Sequence, residues 1–109
     1  MAETKYILKY LPVFYRDLKE KLSYIAFVLN NPEAANELLN DTEKAVLNRL
    51  PCAEAFGKYF SRKGRRYPYY RIFVRNFVIY YVVIDDGNGN KIMEVRRFLY
   101  KRQDVHRYL

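Results

Sequence analysis

The stretch Tyr70-Arg71-Ile72-Phe73-Val74-Arg75-Asn76-Phe77-Val78-Ile79-Tyr80-Tyr81-Val82-Val83-Ile84 decides the fold. It is followed, after Asp85–Asn90, by Ile92-Met93-Glu94-Val95-Arg96-Arg97-Phe98-Leu99-Tyr100-Lys101-Arg102. β-Branched and aromatic residues in such runs suit pleated strands. Asn76 breaks the first run and can begin a tight turn. Asp85-Asp86-Gly87-Asn88-Gly89-Asn90 gives a hairpin loop, since Gly and Asn accept positive φ. The reading is three antiparallel strands. Alternation in the first separates Tyr70, Ile72 and Val74 from Arg71, Phe73 and Arg75. Phe77, Ile79, Tyr81 and Val83 alternate with Val78, Tyr80, Val82 and Ile84, apolar on both faces, as in a central strand. In the last strand Met93, Val95 and Leu99 share a face that Arg97 interrupts, while Ile92, Glu94, Arg96, Phe98 and Tyr100 share the other. Matching the core faces gathers Arg71, Arg75, Tyr80, Arg96 and Tyr100 on the side away from the helices. Lys101, Arg102 and His106 through Tyr108 extend that surface.

Upstream, Lys5–Leu11 reads as a short first strand. Pro12 suits the first turn of a helix, and Phe14, Leu18, Leu22, Ile25 and Leu29 then recur every three or four residues. Asn31-Pro32-Glu33 supplies an N-cap, a first helical position and a negative charge at the positive helix end. The second helix carries Ala35, Leu38, Leu39, Thr42, Val46 and Leu50 on one stripe and stops at Pro51. So short a link makes the two helices an antiparallel hairpin whose apolar face needs a sheet to cover. The expected fold is α+β: an N-terminal strand, then a helix hairpin packed on a mainly antiparallel sheet of about four strands. A short C-terminal helix or tail completes it.

With 109 residues the chain supports one domain, 1–109. Half of it is hydrophobic and 29% is charged, which is globular composition. No apolar run is long enough to span a bilayer, and the first residues lack a signal-peptide pattern. One cysteine, Cys52, allows no intrachain disulfide, and its bland reading is a small residue just after a helix. These features fit a cytoplasmic protein. The glycines, at 57, 64, 87 and 89, form no phosphate-cradling loop, and no metal or nucleotide cofactor is expected.

The net charge of +8 is unevenly distributed: residues 1–56 sum to −1 and residues 57–109 to +9. Such asymmetry points to a polyanionic partner, nucleic acid or an acidic protein segment. The long connection Cys52–Pro68 interleaves Lys58, Arg62, Lys63, Arg65 and Arg66 with Phe56, Tyr59, Phe60 and Tyr67. That pattern serves either phosphate contact with base stacking or a solvated loop anchored by its aromatics.

Several motifs occur in a fixed order: Leu11-Pro12-x-Phe14-x-x-Asp17-Leu18 with Tyr24-Ile25, then Asn31-Pro32-x-Ala34-Ala35-x-x-Leu38-Leu39. Tyr70-Arg71-Ile72-x-Val74 and Phe77-x-Ile79-Tyr80-Tyr81-Val82-Val83 follow, and Phe98-Leu99-Tyr100-Lys101-Arg102-Gln103-Asp104 closes the series. Over nearly its whole length the chain thereby resembles the RelE/ParE superfamily of bacterial toxins. The resemblance implies a toxin inhibited by a cognate antitoxin through an acidic, partly disordered segment, the pair binding its own operator DNA. One branch cuts mRNA in the ribosome, whereas the other inhibits DNA gyrase without being a nuclease. A degenerate binding module with the same fold is a third expectation.

Metal-independent RNA cleavage needs a polarised 2′-hydroxyl, a stabilised phosphorane and a protonated leaving oxygen. Arginines stabilise the phosphorane, and His, Glu, Lys or Tyr commonly moves the protons. The resemblance implies Arg71, Arg75, Arg102 and Tyr108 as the catalytic set. Tyr108 stands six residues beyond Arg102, at the spacing of the RelE-like catalytic tyrosine. His106, the only histidine, is either a participant or an exposed tail residue. Lys58, Arg62, Lys63, Arg65, Arg66, Arg96, Tyr100 and Lys101 are the expected RNA-binding residues. Two positions depart from the ribonuclease pattern: Val78 stands where an arginine is common, and Phe73 where lysine is frequent. Arg96 or the Arg65-Arg66 pair could supply the missing charge. Asp104 is expected to cap the terminal helix.

Overall fold

The computed structural model describes residues 5–109. Strand β1 (Tyr6–Tyr10) leads into helix α1 (Pro12–Ser23), and a wide π-turn over Tyr24–Val28 precedes helix α2 (Pro32–Arg49). Strands β2 (Tyr70–Val74), β3 (Phe77–Asp85) and β4 (Lys91–Tyr100) follow the long connection. The fold is α+β, with both helices on one four-stranded sheet of order β1-β4-β3-β2. The sheet is mixed, since β1 runs parallel to β4 while the other pairs are antiparallel. No helix of the described residues is long and apolar enough to cross a membrane.

Local sequence explains the helix boundaries. Asn31 caps α2, its Oδ1 accepting the Ala34 N–H at 3.1 Å, with Pro32 and Glu33 in the first turn. Before it, Leu29 N–H donates to the Tyr24 carbonyl and Asn31 N–H to the Ile25 carbonyl, and Asn30 adopts φ 51°. The wide turn rotates the stripe that Phe14, Leu18, Leu22 and Ile25 follow. Leu29, expected on that stripe, is instead 56% exposed, and Phe27 and Val28 also point outward.

The helix-side core contains Phe14, Leu38 and Val46 against Tyr70, Ile72, Ile79, Tyr81 and Val95. Tyr81 carries its hydroxyl into this layer, donating to the Ala53 carbonyl at 2.6 Å and accepting from Arg49 at 3.1 Å. The far face holds a second core of Tyr69, Val78, Tyr80, Val82, Leu99 and Leu109, with Tyr59, Tyr67, Val105 and Tyr108 packed around it. The connection and the C-terminal segment therefore cover much of the face that alternation left open.

Three sequence expectations are corrected at the strand ends. Tyr80 lies opposite Arg97 and Tyr81 opposite Val95, so Arg96 is an extra residue, a β-bulge. The bulge reverses the alternation beyond it: Phe98 joins Val95 in the helix-side core, and Leu99 moves to the far face. Tyr100 follows Phe98 to the helix side, where it packs on Phe77 at 5.0 Å and lies beneath Lys21 Nζ at 5.1 Å. Tyr100 is thus not on the face away from the helices. Neither is Arg75, which lies beyond the end of β2 with φ 54° and pairs with Asp41 and Glu37 of α2. Strand alternation does not extend into a left-handed turn residue.

Candidate nucleic-acid interface

The far face is built across three strands in register. Arg71 on β2 lies opposite Tyr80 on β3, which lies opposite Arg97 on β4. Arg97 reaches around the sheet edge, where its Nε and Nη2 donate to the Asp17 carboxylate at 2.7 and 2.9 Å. Asp17 also accepts the Phe98 N–H at 3.0 Å, which caps β4 where β1 no longer pairs with it. The Tyr108 ring lies 5.1 Å from the Arg97 guanidinium. Arg97 Nη1 also donates to the Tyr108 carbonyl, at 3.4 Å. Tyr108 and Arg71 therefore share one face, with Tyr80 between them.

Arg71 has a different environment from Arg97. Among the described residues no carboxylate pairs with it. Its guanidinium lies 4.6 Å from the Tyr59 ring and 5.6 Å from the Phe73 ring. Lys101 Nζ stands 5.9 Å from the centroid of the same Phe73 ring. Burial pushes the Tyr80 phenol up, reinforced by Tyr59 and opposed by Arg71, so it stays neutral at physiological pH and serves as a wall.

The other expected residues disperse around this row. Arg102 and Lys101 line a cleft of about 900 Å³ with Asn76, Tyr100 and Gln103, at the end of β4. Arg96 stays with the far face, but its Nε is held by Glu94 at 2.9 Å, and Lys9 approaches the same carboxylate. His106 is half-buried in a short turn, Val105–Arg107, which Asp104 caps through the His106 N–H at 3.2 Å. In the connection Lys63 donates to the Arg107 carbonyl at 3.3 Å and Arg65 to the Leu109 carbonyl at 2.6 Å. Arg66 lies over Tyr67 at 5.3 Å, while Lys58 and Arg62 are exposed. The structure thus brings Arg71 and Tyr108 to one side, with His106 in the turn that precedes Tyr108, and pairs Arg75 with α2.

The acids of residues 57–109 are all engaged locally. Asp85 and Asp86 accept main-chain N–H groups of their own hairpin, Glu94 takes Arg96 and Lys9, and Asp104 caps its turn. No carboxylate side chain among the described residues pairs with Lys58, Arg62, Lys63, Arg66, Arg71, Lys101, Arg102 or Arg107. Among the described residues, the far side of the sheet and its rim consequently carry an excess of positive charge. No group of three or more His, Cys, Asp and Glu side chains converges among the described residues.

Arg97 is a site residue absent from the sequence expectations, whereas Tyr59 is expected only as one aromatic of the basic connection and Phe73 only as a missing lysine. Arg97 looked like an interruption of the core face, because a bulge has no signature in residue type. Tyr59 lies in a segment without periodicity, although its bridge to Tyr69 fixes it beside Arg71. Neither a scan against protein-family models nor a search of curated proteins returns a match to this chain.

Proposed function

We propose that the chain is a toxin of a bacterial type II toxin–antitoxin pair, acting in the cytoplasm as a ribosome-dependent, metal-independent mRNA endoribonuclease. The observation that carries this reading is the far sheet face, where Arg71, Tyr80, Arg97 and Tyr108 form a row inside a basic rim, most of whose cations pair with no carboxylate side chain among the described residues. Arg71 supplies unneutralised donors for the developing phosphorane charge, with Lys101 and Arg102 at the rim. The Tyr108 hydroxyl is the proton-transfer group, with His106 two residues away, and Arg97 positions its ring. An acidic antitoxin segment answers the same surface by charge, and the pair would reach operator DNA together.

Purified protein added to translating ribosomes should cut message in the A site, and mapping RNA ends would locate the cuts. Arg71→Ala combined with Arg102→Ala should abolish them. Intact message in the presence of folded wild-type protein would end the ribonuclease reading. One observation favours gyrase inhibition as the second reading: Val78 is buried under Leu109 and its neighbours, so no arginine projects from the middle of the face. Under that reading message stays intact while supercoiling is inhibited in a purified gyrase assay.

A further inference from the structure

On β2 the helix-side residues Tyr70, Ile72 and Val74 are buried, whereas Phe73 is 57% exposed between two of them. Leaving a phenyl ring in water on a strand forfeits most of the stabilisation that burial would give it. Val78, its cross-strand partner, is only 1% exposed, so the ring rests on a finished core rather than filling a gap. Two cations from separate segments approach it, Arg71 at 5.6 Å and Lys101 at 5.9 Å from the centroid. Arg71 in turn lies over Tyr59, so cations and rings alternate as Lys101, Phe73, Arg71 and Tyr59 across the face.

We propose that Phe73 is a stacking platform for one unpaired base of single-stranded RNA, with Arg71 and Lys101 contacting the phosphates on either side of that nucleotide. An aromatic ring offers its face to any base, and flanking cations follow the backbone, the combination used where strands are bound without sequence readout. The charge argues against a purely apolar partner: neither cation has a carboxylate counter-ion among the described residues. A lysine at this position would add one phosphate contact, whereas phenylalanine adds base contact. This site deepens the ribonuclease reading and rests on it for the choice of RNA.

The protein has no tryptophan, so Phe73→Trp introduces a single fluorescent reporter at the proposed contact. Short oligoadenylate should quench its emission saturably, whereas inorganic polyphosphate, which has charge but no bases, should bind without comparable quenching. Phe73→Ala should weaken oligoadenylate binding about 10-fold, within the range of one base–aromatic stack, and leave polyphosphate binding unchanged. Arg71→Ala and Lys101→Ala should weaken both. Equal quenching by the two polyanions, or unchanged oligoadenylate affinity in Phe73→Ala, would overturn the proposal. So would a response to an acidic peptide alone, which would make the face a protein-docking surface. The assay contains no ribosome, so message left intact by a protein that stacks oligoadenylate would refute the ribonuclease reading while supporting this site. An equal response to oligodeoxyadenylate would also support stacking and show that the 2′-hydroxyl is not read here.

Discussion

Arg75 donates to Asp41 Oδ2 from Nε at 3.0 Å and from Nη2 at 2.7 Å, and Glu37 stands 3.6 Å away. Arg71, four residues earlier, lies against the Tyr59 and Phe73 rings and pairs with no carboxylate among the described residues. A guanidinium already neutralised by carboxylates gives little to an incoming phosphate, because binding would first break a charge-assisted pair. The two arginines should therefore separate in a mutational test. Arg75→Ala should cost at most about 1 kcal/mol in urea unfolding, as expected for a half-exposed ion pair, and should retain message cleavage. Arg71→Ala should change stability by no more than about 0.5 kcal/mol and lose cleavage and RNA affinity. Equal losses of cleavage from both substitutions, with both proteins folded, would place Arg75 in the site despite its partners.

β4 is the element that divides the legible from the illegible. Its β character, its hairpin with β3 and the outward Arg71 and inward Ile72 of β2 all follow from residue type and alternation. The bulge at Arg96 does not, because it depends on which register lets Phe98 and Leu99 both be buried, a long-range packing condition. Asp17 shows the same limit: nothing in residue type marks this helix carboxylate as buried, yet it is 4% exposed and joins three donors on β4. Likewise Val78 read as a lost charge, and its burial against Leu109 became apparent only when the C-terminal segment was placed over it. The edge contact gives a sharp test. Asp17→Ala leaves a largely buried guanidinium and the Phe98 N–H without their acceptor, and removing one partner of such a pair typically costs about 3–5 kcal/mol. Adding Arg97→Met to Asp17→Ala should recover part of that loss in urea unfolding, because the orphaned charge is gone. An additive double mutant would show that the two side chains do not act as a unit.

Two cores on one sheet leave the whole molecule rich in phenols held out of water, and this fixes its behaviour in alkali. Burial is the largest cause raising the phenols of Tyr6, Tyr10, Tyr70, Tyr80 and Tyr81 above the ordinary value of 10.0. In each, the folded chain keeps its proton at a pH where the unfolded chain has lost it. Their contribution to stability is complete below pH 10.0 and is lost as pH rises through the folded values. Lys21 acts in the opposite sense: burial lowers its ammonium below 10.5, with Asp17 and Glu20 opposing. The destabilisation it brings is present at neutral pH and relieved as pH climbs from its lowered folded value towards 10.5. Lys91, whose ammonium its hydrogen bond to Glu54 raises above 10.5, acts in the same sense as the phenols, so above pH 10.5 the net slope is downward. Phenolate absorbance followed through an alkaline titration should therefore rise in two stages across the twelve tyrosines. The first stage should leave circular dichroism native. The buried group should ionise together with a cooperative loss of ellipticity. A single stage completed with ellipticity intact would mean that the two cores admit hydroxide without opening, contrary to the packing of Tyr80 and Tyr81.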